Sequence, residues 1–545
     1  MVNSLEKVKL EMAVSEKPIK SKQYILAAID IGTNSIHMVV VRIEPQLPAF
    51  TIIAREKDTV RLGDRDKKTG NINPAAMQRA ISALQRCKDL AVSLKADQIL
   101  AVATSATRES PNGCEFLQRI ETELGIVVNL ISGQEEARRI YLGVLSVMDF
   151  STKPHVIIDI GGGSTELILA DSEEPRFLSS TKIGAVRLTQ ELVTTDPISI
   201  NELTVLQAYA KGMLERPIDE LRAALKPRET FRLVATSGTA ETLATIHALE
   251  KYGSIPNPLN GYQISRRDLR EMIRRFANMT YQQRFAVPGM SDKRAEIIVA
   301  GSVILLEAMT MLNVDYLTVC ERSLREGVIV DWMLTHGLIE SRLHYQSEIR
   351  PRSVIKIAHK YNVDIEYSQR VAGFALSIFD QTRGILHNWS NEAREYLWAA
   401  GILHNCGLFI SHAAHHKHSY YMVRNAELLG FTDIELEIIA NLVRYHRKNK
   451  PKKKHDNYNN LVHKEHKLLV NQLSAILRLA VALDRRQIGA IKELFCKYDL
   501  EYRVLHFHLI PSQAGDDCAL ELWNLDYEKN VFEEEFGVKL ITTLG

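Results

Sequence analysis

The residues Asp30-Ile31-Gly32-Thr33-Asn34-Ser35 recur about 130 positions later as Asp159-Ile160-Gly161-Gly162-Gly163-Ser164. In each copy an apolar run precedes the aspartate and another follows the serine. This pattern predicts a strand, a tight glycine turn and a second strand. Segments 102–109 and 234–241 repeat at nearly the same offset, with six of eight positions identical. Two repeats at one spacing predict a duplicated lobe.

Length and composition exclude several classes of protein. A chain of 545 residues is expected to form several domains, and 46% apolar with 25% charged residues is typical of globular proteins. No apolar run of eighteen residues occurs, and residues 1–22 lack the apolar segment of a secretory signal, so we expect a cytoplasmic protein without a membrane partner. The six cysteines form no CxxC pair, which favours reduced thiols.

The regions between the predicted strands carry helical periodicity, for example 74–94 and 133–148. Alternating strands and helices predict an α/β fold, and two such lobes facing each other would form a cleft. Both glycine turns would then direct backbone N–H groups at a bound phosphate. Asp30 and Asp159 cannot bind phosphate directly, so their expected task is to hold Mg²⁺ or its water ligands against the phosphate oxygens.

Five motifs in order resemble the exopolyphosphatase / guanosine pentaphosphate phosphohydrolase family, within the actin, Hsp70 and sugar-kinase superfamily. They lie at residues 30–35, 104–108, 132–138, 159–166 and 323–327. The resemblance implies a duplicated actin-like (ribonuclease H-like) two-lobe α/β fold, followed by an all-α HD-like domain and a small α+β domain. The expected boundaries are 22–140 for lobe I, 141–335 for lobe II, 336–490 for the helical domain and 491–545 for the last domain.

Two adjacent glutamates begin the predicted helix after Ser132. Glu136 lies beside the inward apolar stripe, whereas Glu135 faces Arg139 at the i+4 position. A carboxylate buried at a cleft has a raised pKa and can orient or deprotonate a water molecule. The resemblance places the catalytic glutamate at Glu136. Arg108 is a candidate to clamp and neutralise the reacting phosphoryl group.

Asp159 and Glu166 flank the second turn and are the expected ligands of Mg²⁺ or another divalent cation, a role that the resemblance also implies. We assign no chemistry to His37, which occupies the repeat position of Glu166. The predicted residues of the phosphate site are Asp30, which acts through the cation, and Gly32, Thr33, Asn34, Ser35, Gly161, Gly162, Gly163, Ser164, Gly238, Thr239 and Arg294.

Residues 336–490 are rich in helical periodicity and histidines, and their motifs resemble a metal-dependent HD phosphohydrolase domain. Asn405 replaces the aspartate ligand after His404, and Tyr367 stands where a first histidine ligand is expected. An amide oxygen is a poorer metal ligand than a carboxylate. We therefore expect this domain to lack hydrolase activity and a stoichiometric transition metal.

A basic tract at 447–454 is predicted to lie in a proline-interrupted loop between helices. Cations bind a linear polyanion with release of counterions, and the tract carries no interleaved aromatic residues for stacking bases. A simple solvated loop is the alternative. Polyphosphate, rather than nucleic acid, is therefore the expected partner of Arg447, Lys448, Lys450, Lys452, Lys453 and Lys454.

These features predict an exopolyphosphatase that releases orthophosphate from the end of inorganic polyphosphate. Hydrolysis of guanosine pentaphosphate is the alternative for the same site. A kinase of the same superfold, which would need an acceptor pocket with a base, is less favoured. A non-catalytic polyphosphate or nucleotide sensor is also less favoured, because Glu136, Asp159 and Glu166 are all present. A second copy of the chain, in a homodimer, is included among the candidate partners.

Overall fold

The computed structural model describes residues 23–45, 49–66, 68–150, 153–339, 349–426, 428, 430–461 and 463–545. Residues 1–22, on which the expectation about a secretory signal rests, lie outside this part of the chain. No helix within it is long and apolar enough to cross a membrane.

The first lobe is a five-stranded sheet of order β3-β2-β1-β4-β5 with helices against it. β1, β2 and β3 form an antiparallel meander, and β4 and β5 continue the sheet in parallel with β1. β1 and β2 are buried on both faces along near-continuous apolar runs, which is why these segments form central strands. The elements are β1 Tyr24–Ile31, β2 Ser35–Glu44, β3 Ala49–Thr59, α1 Pro74–Ser93, β4 Gln98–Ala103, α2 Ser105–Arg108, α3 Gly113–Leu124, β5 Val128–Leu130 and α4 Gly133–Leu145.

The second lobe repeats the same plan with one extra strand. Its sheet has the order β8-β7-β6-β9-β11, with β10 added beyond β11. The predicted duplication of an α/β lobe is therefore confirmed strand by strand. The elements are β6 His155–Ile160, β7 Thr165–Ala170, β8 Pro175–Thr181, α5 Ala185–Leu192, α6 Ile200–Ala223, β9 Arg232–Thr236, α7 Ser237–Tyr252, β10 Gln263–Ser265, α8 Arg266–Ala277, α9 Tyr281–Phe285, α10 Asp292–Ala295, α11 Ile298–Leu312, β11 Tyr316–Val319 and α12 Leu324–Thr335.

The two sheets share one hydrophobic core, built around α4 and α12. These helices cross at two glycines, where a Cβ on Gly143 would overlap the backbone carbonyl of Ser323 and one on Gly327 would overlap that of Arg139. The glycines allow the two backbones to touch. The predicted boundary at 140 and 141 lies inside α4, at this junction.

The C-terminal part consists of helices followed by a three-stranded sheet of order β12-β13-β14. The helices and this sheet surround one continuous hydrophobic core. The predicted boundary between residues 490 and 491 passes through this core. The elements are α13 Ile349–Lys360, α14 Ile365–Thr382, α15 Asn391–Leu403, a 3₁₀ turn Cys406–Phe409, α16 His415–Arg424, α17 Asp433–Tyr445, α18 Asp456–Asn459, α19 Lys464–Ala482, β12 Ile491–Asp499, β13 Val504–Pro511, α20 Ala519–Phe536 and β14 Lys539–Leu544.

Polar contacts join the C-terminal part to both lobes. Lys356 Nζ donates to the carbonyl of Phe50 in lobe I at 2.9 Å, and Arg424 Nη1 donates to the carbonyl of Asn257 in lobe II at 3.0 Å. The C-terminal part therefore bridges the two lobes.

Candidate active site

The two glycine turns have the same construction. Gly32 N–H donates to the carbonyl of Ser35 at 3.1 Å, and Gly161 N–H donates to that of Ser164 at 3.0 Å. Each turn joins two antiparallel central strands and therefore lies at one end of those strands. That end of each sheet faces the other lobe. The predicted strand-turn-strand units are confirmed, and both turns line one cleft of about 290 Å³.

The cleft contains every predicted catalytic, phosphate-binding and metal-binding residue except Arg108 and Thr239. The Thr239 side chain packs instead against Gly301 of α11, so this residue is buried behind the cleft wall and not on it. The predicted residues that line the cleft are Asp30, Gly32, Thr33, Asn34, Ser35, Glu136, Asp159, Gly161, Gly162, Gly163, Ser164, Glu166, Gly238 and Arg294.

Strand register sets the carboxylates of the cleft. Asp159 on β6 lies directly opposite Glu166 on β7, and Asp30 on β1 lies opposite His37 on β2. Directly opposite residues of an antiparallel pair project from the same face, so each pair points to the cleft together. Glu136, in the first turn of α4, adds a fourth buried carboxyl group.

Burial in this shared site raises the pKa of all four carboxyl groups. Burial, together with the neighbouring charge of Asp159, raises the pKa of Glu166 to about 8. Burial raises the pKa of Asp30 to about 7, and the charge of Asp159 adds to this effect. The pKa of Glu136 rises well above its usual range through burial and the charge of Glu166. Burial likewise raises the pKa of Asp159. A site that opposes carboxylate ionisation so strongly is suited to hold a cation.

The residues present fit a divalent cation, although no three His, Cys, Asp or Glu side chains in the described residues form a preformed cage. The buried Oδ1 of Asp30 has no hydrogen-bond partner. Asp159 Oδ2 accepts from the hydroxyl of Ser323, and Glu166 Oε1 accepts from that of Ser180 at 2.8 Å. Mg²⁺ characteristically uses one or two carboxylates and completes its shell with water and substrate phosphate, which this arrangement permits.

Glu135 and Glu136 have the different environments that helix geometry predicts. Glu135 forms ion pairs with Arg138 and Arg139, both at 2.7 Å. Glu136 is buried, and its Oε2 lies 3.3 Å from Nη1 of Arg108. The Arg108 guanidinium also donates to the carbonyl of Ile131 at 2.7 Å. Arg108 therefore supports Glu136 from outside the main cleft.

Sequence reasoning missed three cations of the cleft, Arg55, Lys57 and Arg325, and gave His37 no role. Arg325 lies inside the 323–327 motif, so a signal for it existed, whereas Lys57 lies on β3 in an unremarkable pattern. His37 lines the cleft 3.4 Å from Arg325, and burial with the charges of Arg325 and Lys57 lowers its pKa to about 2. His37 is therefore neutral at physiological pH.

Backbone geometry at the start of α7 completes the site. Ser237 has φ 69°, a left-handed conformation that costs energy for a residue with a side chain, and its side chain hydrogen-bonds to Asp159. At the next position, a Cβ on Gly238 would overlap the guanidinium of Arg294. The absence of a side chain at Gly238 therefore lets Arg294 reach the phosphate side of the cleft.

The predicted HD-like residues are packed into the helical core. His404 and His446 donate through Nδ1–H to the carbonyls of Gly401 and Val443, at 2.7 and 2.6 Å. Burial lowers the pKa of His404 to about 4. Tyr367 packs beside His404, and Asp484 is bound by Arg370 at 2.7 Å. The Asp484 carboxylate is thus used in an ion pair.

Comparison with known proteins gives consistent matches. Residues 39–336 match the Ppx/GppA phosphatase family, and residues 349–529 match domain III of Ppx/GppA phosphatases. The chain is similar to an exopolyphosphatase from Cytophaga hutchinsonii, with 26% identity and a TM-score of 0.53 over 59% of this chain and 100% of that one. An exopolyphosphatase-like protein has 26% identity and a TM-score of 0.52, covering 57% and 98% of the two chains. A Ppx/GppA family member from Aquifex aeolicus is 28% identical over 58% and 99%, with a TM-score of 0.49.

Proposed function

Since the chain belongs to the Ppx/GppA phosphatase family, with its actin-like fold, we propose that it is an exopolyphosphatase that hydrolyses the terminal phosphoanhydride bond of inorganic polyphosphate. The observation that carries the proposal is the convergence of both glycine turns and four carboxyl groups, Glu136 among them, on one cleft. Two structural relatives described as exopolyphosphatase or exopolyphosphatase-like support the choice of substrate. A reducing, cytoplasmic location is part of this proposal, supported by six unpaired cysteines.

In this proposal, backbone N–H groups of the turns at 32–35 and 161–164 bind the terminal phosphates. Arg294 and Arg325 neutralise charge on the phosphoryl group as it is transferred. Asp159 and Glu166, with Asp30, would hold Mg²⁺ or another divalent cation, which supplies positive charge against the phosphate oxygens when it is bound. Thr33, Asn34, Ser35 and Ser164 add side-chain donors.

Water is the nucleophile, and Glu136 orients it and accepts its proton. Burial and the charge of Glu166 raise the pKa of Glu136, which makes its carboxylate a stronger base than that of an exposed glutamate. Arg108 keeps the Glu136 carboxylate directed at the cleft through the 3.3 Å contact. The proton moves from water to Glu136, the oxygen of water forms the new P–O bond, and the shortened chain leaves with the bridging oxygen.

We further propose that the basic tract at 447–454 holds the distal part of a long chain. Lys452, Lys453 and Lys454 are exposed, as a contact surface for a polyanion requires. Lys450 differs, because it forms an ion pair with Glu534 of α20, and the Arg447 guanidinium lies 3.3 Å from His415 Nδ1. The exposed lysines are therefore the members of the tract expected to bind substrate.

The test compares phosphate release from long-chain polyphosphate, guanosine pentaphosphate and ATP, first with Mg²⁺ and then with EDTA. The proposal expects fastest release from polyphosphate, and loss of that release with EDTA and in Glu136→Gln. Preference for guanosine pentaphosphate would favour the second activity of the family. ATP consumption only with an added acceptor would indicate a kinase, and binding without any release would indicate a sensor.

A further inference from the structure

A second cavity of about 390 Å³ lies beside the active-site cleft. We call it the side cavity; its walls include Arg108, Ser132, Ser164, Ser180 and Lys182. Ser164 lines both spaces, so the two cavities are neighbours. Glu136 lines the cleft and Arg108 lines the side cavity, and their ion pair forms the partition between them.

The chemistry of the side cavity suits a small oxyanion. Arg108 and Lys182 supply positive charge, and the hydroxyls of Ser132 and Ser179 supply hydrogen-bond donors. Two carboxylates also line it, Glu109 and Glu220. The negative charge of Glu109 is already neutralised by an ion pair, because Arg187 Nη2 lies 2.7 Å from its Oε2. Lys182 is exposed at the surface, so the cavity has an opening to solvent on this side.

Under the proposed function, the position of the side cavity indicates a role in the release of product. A long chain that is shortened from its end occupies the mouth of the cleft before and after each hydrolysis step. The orthophosphate product forms at the inner end, beside Glu136, with the remaining chain between it and the mouth. It needs another way out whenever the chain stays bound.

We propose that the side cavity is the exit route for orthophosphate. Arg108 is in contact with Glu136 on the cleft side and also lines the side cavity, so the product keeps one cationic partner as it crosses the partition. Lys182 then receives it near the surface. This inference rests on the proposed function and adds a separate path for product to it.

Two variants test the route, with a matched control. Ser179→Trp narrows the side cavity, whereas Lys182→Glu removes its outer cation without adding bulk. Lys211→Glu makes the same charge change at an exposed position on α6 of the same lobe. The measurements are the first turnover by rapid quench, the steady-state rate on long-chain polyphosphate and on triphosphate, and inhibition by added orthophosphate.

With long chains, Ser179→Trp should leave the first turnover intact and slow the steady state at least about tenfold, giving a burst of phosphate, because product release then limits turnover. Triphosphate should be affected much less, since its short remnant can vacate the cleft. Lys182→Glu should weaken inhibition by orthophosphate, whereas Lys211→Glu should not.

Equal slowing of the first and later turnovers, or no effect of either variant, would overturn the exit route while leaving the proposed function standing. Failure of the proposed function has a different signature: the unmodified protein would release no phosphate from polyphosphate at all. Because Lys182 is exposed, its substitution keeps the test valid even where Ser179→Trp fails to fold.

Discussion

Glu135 and Glu136 are neighbours in one helical turn, yet their contacts give them opposite expected roles. We expect Glu136→Gln to lower kcat at least about a hundredfold while polyphosphate still binds, because a general base typically supplies 10² to 10⁴ in rate. Glu135→Gln should instead lower the free energy of unfolding, because Glu135 forms ion pairs with Arg138 and Arg139. Turnover and binding measured on both variants check this, and the reverse ranking would refute the assignment of the two carboxylates.

The raised carboxyl pKa values predict how stability depends on pH without a divalent cation. Folding raises the pKa of Glu166 from 4.5 to about 8 and that of Asp30 from 3.8 to about 7. The folded state therefore binds these protons and the unfolded state does not, so the free energy of unfolding should fall as pH rises from 7 to 9. The expected loss across this range is roughly 2 kcal/mol, measured by urea denaturation in EDTA.

Buried histidines do not affect the pH dependence of the free energy of unfolding between pH 7 and 9. Burial lowers the pKa of His404 to about 4 and that of His155 to about 4, and their cost to stability begins only as pH falls below the ordinary histidine value of about 6.5. Glu166→Gln should flatten the profile between pH 7 and 9, and Mg²⁺ should do the same in the unmodified protein. A profile unchanged by either would argue against a cation site at these carboxylates.

At the residue scale, the sequence could predict the site residues that lie within recognisable motifs. The turns, Glu136, Asp159 and Glu166 were identifiable because glycine, acid and spacing recur together. Lys57 was not, because it reaches the cleft only through the register that pairs it with His37. Thr239 was misplaced for a related reason: its neighbour Gly238 lines the cleft, but successive residues at a helix start point in different directions.

At the scale of elements, the crossing of α4 and α12 controls where Glu136 lies. Both helices begin with a serine N-cap, at Ser132 and Ser323, and Ser323 also binds Asp159. The close contact at Gly143 and Gly327 therefore holds Glu136 and Asp159 in a set relation. The helices were predictable from periodicity, whereas the crossing was not, since it depends on two glycines far apart in the chain.

Gly327→Ala should force α4 and α12 apart, because the new methyl group would overlap the Arg139 carbonyl. We expect the free energy of unfolding to fall by about 2 kcal/mol and kcat to fall with it, since Glu136 is displaced. Gly212→Ala is the control, because it lies exposed inside α6 with open space around it and should raise stability by about 1 kcal/mol. Similar effects of both substitutions would contradict the proposed contact.

At the scale of the whole molecule, two binding regions for one substrate would make long chains bind more tightly than short ones. We expect the triple change of Lys452, Lys453 and Lys454 to Ala to weaken long-chain polyphosphate while leaving triphosphate and guanosine pentaphosphate nearly unaffected. Affinity for the long chain should also become less dependent on salt. Lys450→Ala is a matched control, because Lys450 is paired with Glu534. Parallel affinity curves against chain length would identify the tract as a solvated loop.

The duplicated lobes and the helical C-terminal part were predictable because repeats and periodicity are properties of the sequence itself. Their assembly was not, because it relies on isolated contacts such as Lys356 with Phe50 and Arg424 with Asn257. No local pattern marks such residues. The ion pair of Lys450 with Glu534 is another case, joining two charged stretches that looked independent.

The two lobes pair their first strands in the same register but place different residues opposite the aspartate, which has a consequence for ancestry and for direction. Two identical halves would meet in a site with twofold symmetry, unable to tell one side from the other. Here the cross-strand partner of the aspartate is His37 in one half and Glu166 in the other, and that mirror relation is broken. The two ends of a polyphosphate chain are chemically identical. Only an asymmetric enzyme can therefore consume the chain in one direction. The divergence of the two halves after duplication, including this side chain, thus supplies a polarity that the polymer lacks.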